Sequence, residues 1–208
     1  KLAVIDLVKR KITGYIDVPA DEVLFAASAE KLVVVVPELK QIQRYDLATR
    51  QWELTAPLNH TRPITVVAMG SASNGPVLIG SGDKEGDQLA LRTLDTLQVR
   101  KLAITGTRHL RFNDGIQVAA AADGNTFACW QTSISPTGEQ LLAVAGGTIK
   151  AQYSHVTVAF AAPNADGSLV FTKKGVYDRE LAVKRPEGIN REFLLLPGVE
   201  PSQRLRVQ

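Results

Sequence analysis

The chain has 208 residues, of which 45% are hydrophobic but only 6% aromatic, and a formal net charge of +3 at pH 7. Its one cysteine, Cys129, excludes an internal disulfide, and no apolar run approaches the roughly 18 residues of a helical membrane span. The small charge is spread along the chain, which argues against a nucleic-acid surface.

In chain order, residues 1–19 read as a hairpin of two strands. Four strands then centre on 23–27, 32–36, 42–46 and 52–56, each rich in β-branched residues or alternating in polarity. The same order returns at 64–69, 77–80, 88–93 and 99–104. The stretch 114–122 contains alanines, yet Gly115, Ile116 and Val118 favour a strand over a helix. Residues 192–197 read as an innermost strand, and 205–207 start another. No helix is expected, and no Pro, Gly or Ser linker divides the chain.

Two phrases recur along this series. The first reads Ala29-Glu30-Lys31-Leu32-Val33, Ala72-Ser73-Asn74-Gly75-Pro76-Val77, Ala122-Asp123-Gly124-Asn125-Thr126-Phe127 and Ala165-Asp166-Gly167-Ser168-Leu169-Val170. Its leading alanines are 43, 50 and 43 residues apart. Each copy is a polar turn that leads into an apolar run. The second phrase is Val4-Ile5-Asp6-Leu7-Val8-Lys9-Arg10, matched 40 residues later by Arg44-Tyr45-Asp46-Leu47-Ala48-Thr49-Arg50. Arg92-Thr93-Leu94-Asp95-Thr96-Leu97-Gln98 is a weaker third copy, with Thr93 in the aspartate's place. The phrases alternate, as the inner and outer hairpins of successive units would. An all-strand period of 40 to 50 residues is the signature of a β-propeller with one four-stranded blade per repeat.

The expected fold is therefore an all-β, partial propeller of about four to five blades in one region over residues 1–208. Blades fall roughly at 20–60, 61–106, 107–155 and 156–190, with 191–208 opening a fifth. The first residue is Lys1, and residues 2–19 read as the second half of a blade, so the chain is expected to be an excerpt truncated at both ends.

The run Leu32-Val33-Val34-Val35-Val36-Pro37, followed by Ile42-Gln43-Arg44-Tyr45-Asp46-Leu47, resembles the WD40/YVTN-like repeats of bacterial β-propeller modules. The segments 68–76 and 122–138 resemble them too. The resemblance implies a C-terminal module of a larger bacterial protein, in some of which a Ser/Thr protein-kinase domain lies upstream. Strict WD40 repeats end their blades in Trp-Asp, where this chain has Ile5-Asp6, Tyr45-Asp46 and Arg92-Thr93. That family's Asp-His-Ser/Thr-Trp hydrogen-bond network therefore does not carry over.

His60, His109 and His155, spaced 49 and 46 apart, fall in the loops that lead from an outer strand to the next inner one. Imidazoles ringing a propeller mouth suit a metal or an anion. No Asp or Glu recurs beside them, and a repeat protein repeats its loop residues, so they are read as structural. The segment 80–87 lacks the Gly-Lys-Ser/Thr of a phosphate loop and the alternating oxygen ligands of a calcium loop; it reads as a solvated turn, lengthened in this blade. Cys129 lies between Phe127 and Trp130 as a core residue, and Ser133 and Ser135 lack a nucleophile elbow. Lys9-Arg10-Lys11 reads as a solvated hairpin tip able to touch an acidic partner. No catalytic, cofactor-binding or metal-binding residue is assigned.

Two function classes remain. The favoured one is a non-enzymatic scaffold whose blade-mouth loops bind a protein or peptide partner, with no nucleic acid and no membrane span. The alternative is a propeller enzyme, lactonase-like or a quinoprotein, with a metal in its central channel. Open edge strands at the two ends leave backbone groups unpaired. The isolated chain is therefore expected to self-associate, and sedimentation velocity showing a concentration-independent monomer would contradict this.

Overall fold

The computed structural model describes residues 1–83, 86–107, 112, 115–132, 135, 136, 138–186, 194–197 and 204–207. Every regular element among them is a strand. The chain opens with the hairpin β1 (Leu2–Asp6) and β2 (Lys11–Ile16). A four-stranded antiparallel meander follows, made of β3 (Leu24–Ala27), β4 (Lys31–Val36), β5 (Gln41–Asp46) and β6 (Trp52–Pro57). The next sheet holds β7 (Ile64–Ala68), β8 (Val77–Asp83) and β9 (Gly86–Arg92).

After β10 (Ala103–Gly106) comes a meander of β11 (Ile116–Ala120), β12 (Thr126–Gln131), β13 (Glu139–Ala145) and β14 (Thr148–Ser154). A further meander is built from β15 (Ala161–Pro163), β16 (Leu169–Thr172), β17 (Gly175–Asp178) and β18 (Val183–Pro186), and β19 (Leu194–Pro197) pairs with β20 (Arg204–Val207). The first strands β3, β7, β11 and β15 neighbour one another in sequence order, so the sheets radiate as blades from a shared axis. This is the all-β, partial propeller that the repeat period implies.

The core consists of the spaces between blades, and the second strand of each blade serves two of them. Along β4, Val33 and Val35 pack toward the second blade, whereas Leu32, Val34 and Val36 pack toward β1 and β2. Along β12, Phe127 and Cys129 face the second blade while Ala128 faces the fourth. A strand covered on both faces must be apolar at consecutive positions. That is why these segments read as unbroken apolar runs, and why Val33 through Val36 are all 0% exposed.

The second blade departs from the expected four strands. Residues 99–104 were expected to form its outer strand. Instead the ladder beside β9 ends after an isolated Arg92↔Val99 bridge and one bond from the Arg100 N–H to the Leu91 carbonyl (2.8 Å). The chain then crosses to the third blade, where β10 pairs parallel with β14 from Ala103↔Thr148 to Gly106↔Ala151. The Ala103 N–H donates to Gly147 O at 3.1 Å and the Thr107 N–H to Ala151 O at 3.0 Å. Gly106 fits this docking: its φ is +81°, and a Cβ there would lie 2.1 Å from Ala151 O.

Backbone bonds link neighbouring blades at the turns between their first two strands, the sites of the four-fold phrase. The Ala72 N–H donates to Ala122 O at 2.9 Å, and the Asp123 N–H donates to Ala165 O at 3.0 Å. The approach is close enough that a Cβ on Gly70 would meet Gly124 N at 2.4 Å and the carbonyls of Ala121 and Ala122 at 2.6 Å. Those neighbours are backbone and cannot rotate away. Gly70→Ala is expected to destabilise the protein by about 1–3 kcal/mol through overpacking, whereas Gly147→Ala, with nothing within 4 Å of the added carbon, is expected to be near neutral. Urea denaturation of the two variants side by side checks this.

Candidate binding surface

Residues of and beside the inner strands β3, β7 and β11 line an open cleft of about 290 Å³ near the propeller axis. Phe25, Thr65, Val67, Gln117 and Val118 are among its lining residues, and none of that lining is ionisable. The side chains of this lining are apolar apart from one hydroxyl and one amide, with no group that exchanges a proton near neutral pH.

One mouth carries both kinds of phrase, because in a meander the first turn and the third lie at the same end. The outer hairpins share a design. Asp6 accepts the Lys9 N–H at 2.8 Å, and Asp46 accepts the Thr49 N–H at 2.7 Å and the Thr49 hydroxyl at 3.0 Å. Thr93 and Thr96 join through their hydroxyls at 2.7 Å. Each turn closes on a residue of positive φ, namely Arg10, Arg50 and Leu97. A fourth hairpin is a version shorter by one residue: Asp178 Oδ1 accepts the N–H groups of Glu180 (3.0 Å) and Ala182 (2.9 Å), and Leu181 has φ +59°. The sequence reading missed it, although Tyr177-Asp178 repeats Tyr45-Asp46.

Arginines tie these hairpins to neighbouring turns. Arg50 donates to Thr13 O at 3.0 Å, Arg44 to the carbonyls of Leu94 (2.7 Å) and Asp95 (2.6 Å), and Arg100 to Gly146 O at 3.3 Å. Arg179 donates to Gly167 O at 2.9 Å and also to Asp166 O. Lys31 bridges Asp46 (2.9 Å) and Glu53 (2.7 Å), and Arg44 meets Glu53 at 2.8 Å. The Thr49 N–H and then the Lys31 ammonium hold the Asp46 carboxyl below its ordinary range. This rim is cross-braced. At its first hairpin tip Leu7 and Val8 are 84% and 93% exposed beside Lys9, Arg10 and Lys11.

His60 and His155 are not gathered into one site. His60 follows β6; its backbone N–H donates to Leu58 O at 2.9 Å, and its Nδ1 is buried with no hydrogen-bond partner. Burial, then the nearby Arg92 charge, lower its pKa and keep the ring neutral. His155 is exposed after β14, with Nδ1 2.8 Å from the Tyr153 hydroxyl. His109 and Ser133 lie outside the described residues. Among the described residues no group of three His, Cys, Asp or Glu side chains is placed to hold a metal ion.

Segment 80–87 is not a lengthened turn. β8 and β9 pair without a break from Val77↔Arg92 to Asp83↔Gly86, and β4 with β5 spans the same sixteen residues from Lys31 to Asp46. The longer repeat instead takes its extra residues in the 70–76 turn and after Thr93, where the chain travels to β14. Cys129 is fully buried, and burial raises its thiol pKa, which removes the thiolate a nucleophile needs.

Two buried ionisable groups went unnoticed in the sequence. Arg92, 2% exposed, donates through Nη1 to Leu97 O at 2.7 Å, while its Nε and Nη2 are buried without partners. Glu139, 0% exposed on the face turned toward the fourth blade, has no hydrogen-bond partner for either carboxylate oxygen. Burial pushes its pKa up to about 7; burial, and then the charge Glu139 carries once ionised, raise the pKa of Tyr177. The only sequence signal for either was a charged residue beside an apolar run, which is common at strand ends.

No family model matches the chain, and no curated protein does. Solved structures do resemble it. The complex of KlAtg21 with the coiled-coil of AgAtg16 superposes with a TM-score of 0.59 at 10% identity, covering 99% of this chain and 75% of that one. Kuenenia stuttgartiensis hydrazine synthase gives 0.54 at 12% identity over 81% of this chain and 47% of that one. The Dos1 propeller gives 0.54 at 15% identity over 89% and 53%. The chain thus spans three quarters of the first and about half of the other two. At these identities the likeness is one of fold: a propeller-type module.

Glu139 yields a stability prediction. Its folded pKa lies above the ordinary 4.5 of a glutamate, so the folded state keeps a proton that the unfolded chain releases. Stability should fall as pH rises from about 4.5 to about 7 and level off above, by up to about 3 kcal/mol. Glu139→Gln should flatten that slope, as measured by urea unfolding across the range.

Proposed function

We propose that this chain is a non-enzymatic scaffold that binds a protein or peptide partner through its blade-mouth turns, as a module of a larger protein. The observation that carries the reading is the pairing of a cross-braced rim with a channel lining that holds no ionisable group. A rim tied by inter-blade backbone bonds presents turn residues at fixed spacing, so little ordering entropy is lost on binding. Catalysis by a propeller of metal-in-channel type needs several converging oxygen or nitrogen ligands. The described channel residues supply Thr65 and Gln117.

The similar fold in the complex of KlAtg21 with the coiled-coil of AgAtg16 is consistent with this use, since that propeller is seen with a protein segment. The exposed Leu7 and Val8, flanked by Lys9, Arg10 and Lys11, give the rim an apolar and basic tip. That tip favours an acidic partner segment carrying apolar side chains. Among the described residues no helix is long and apolar enough to cross a membrane. The bacterial setting and the kinase-type neighbour belong to this proposal as the context that the resemblance suggests.

The test is selection of peptide ligands from a displayed library, followed by hydrogen-exchange mapping of the winners. Protection is expected on the turns around Ala72, Ala122 and Ala165 and on the 6–11 hairpin. Lys9→Glu combined with Lys11→Glu should weaken acidic ligands on the order of tenfold. Stoichiometric zinc or calcium in the purified propeller, or ligands protecting only the channel strands, would overturn the reading.

A further inference from the structure

Among the described residues the second blade is one strand short on its outer side, and its own residues show which ladder was broken. Thr93 pairs with Gln98 through the Thr93 N–H and Gln98 O (3.0 Å), Arg92 bridges Val99, and Leu91 O accepts from Arg100 N–H (2.8 Å). Continued at the same register, this antiparallel ladder would set Leu89 opposite Leu102 and Asp87 opposite Ile104. The chain leaves before that point. Since Leu91 O points away from β8, the N–H and C=O of Leu89 and Asp87 point the same way, by the two-residue period of a strand. Gln88 and Ala90 use theirs on β8, opposite Ser81 and Ile79.

The strand that would have covered this edge is in place one blade further on. β10 runs parallel to β14, the outer strand of the third blade. The outer strands of successive blades run in the same sense, so β10 has kept the direction of a second-blade outer strand and shifted sideways. Its four residues are exposed, and the bonds at Ala103, Thr107 and the close fit of Gly106 hold it there. The remaining sheets with four or more strands have an outer strand following their third, whereas among the described residues β9 has none beyond the Arg92↔Val99 bridge.

We propose that the open β9 edge, from Asp87 to Leu89, is a docking site for an extended segment of a partner protein, which adds to the second blade as its antiparallel fourth strand. The proposal rests on the scaffold reading above and names a second, lateral surface for it. Repeat geometry identifies the occupant: in this position the other blades carry β6, β14 and β18, each an extended strand. The faces set its side chains. The residue opposite Leu89 lies beside Leu89 and Leu102, which border the apolar space between the second and third blades. The residue opposite Gln88 lies near Thr61, whose N–H and hydroxyl approach Gln88 Oε1 at 3.3 and 3.4 Å. A segment alternating apolar and small polar residues fits; backbone bonds supply affinity and this alternation supplies register.

The experiment uses the whole chain at low micromolar concentration and, as probe, a capped peptide with the sequence of residues 100–106. Hydrogen exchange of the free protein should show the Asp87 and Leu89 amides exchanging on the order of a hundredfold faster than those of Gln88 and Ala90, and the peptide should slow them. Leu89→Pro removes one outward N–H and leaves the β8 bonds intact, so it should weaken the peptide on the order of tenfold. Should that variant not fold, a peptide N-methylated at the residue corresponding to Leu102 must show the same loss on the unaltered protein. Slow exchange at Asp87 and Leu89 in the free protein would mean that the chain covers its own edge. Protection that rises with protein concentration would mean that a second copy does. Either result, or peptide binding indifferent to Leu89→Pro and N-methylation, overturns the proposal. Library-selected ligands that protect the mouth turns and bind Leu89→Pro unchanged would leave the scaffold reading standing while this one fails.

Discussion

The second strands β4, β8, β12 and β16 are buried on both faces, and most of this structure follows from that constraint. A strand sandwiched between two neighbouring sheets cannot alternate polar with apolar residues, so β4 is Lys31 followed by five consecutive apolar residues, and β8 begins Val77-Leu78-Ile79. Successive side chains of one strand belong to different inter-blade spaces, which couples each interface to the next through a single backbone. The gaps are narrow, and Val, Ala, Leu and Ile fill them with few aromatics. Where an aromatic ring enters, the opposite wall gives way: Phe112 lies against Gly80, where a Cβ would come within 2.2 Å of the ring.

The same constraint explains what could be read from the sequence. The four-fold phrase marks the turn into the doubly buried strand, and the second phrase marks the outer hairpin, whose Asx turn needs an oxygen acceptor at one position and tolerates positive φ four residues later. Both are local, so they survive in the chain as words. The hairpin at Asp178 escaped because its turn is one residue shorter: Leu181, its residue of positive φ, follows the aspartate by three positions, where Arg10, Arg50 and Leu97 follow Asp6, Asp46 and Thr93 by four. The destination of β10 was illegible for a different reason. Ala103, Ile104 and Thr105 suit a strand equally well beside β9 or β14, and strand propensity does not name a partner.

The candidate sites divide in the same way. The two described histidines each follow the outer strand of their blade, yet go to different surroundings, one half-buried beside Arg92 and one exposed beside Tyr153. Burial of Arg92 and Glu139 is a tertiary property: each faces a neighbouring blade whose contribution no window of sequence contains. The arginines of the rim were visible as residues but not as braces, because their acceptors are carbonyls of distant turns, those of Arg44 and Arg50 in other blades. A carbonyl is present at every position and leaves no trace in the amino-acid code.

The parallel docking of β10 also changes how the array comes apart. In a simple repeat protein each unit's stability is its own plus one interface on either side, and loss can begin at any joint. Here the segment that follows the second blade's third strand is bonded into the third blade. Melting the third blade therefore releases the end of the second, and fraying the second pulls on β14. The two behave as one cooperative unit inside an otherwise segmental chain, an indivisible block around which the other blades open and close.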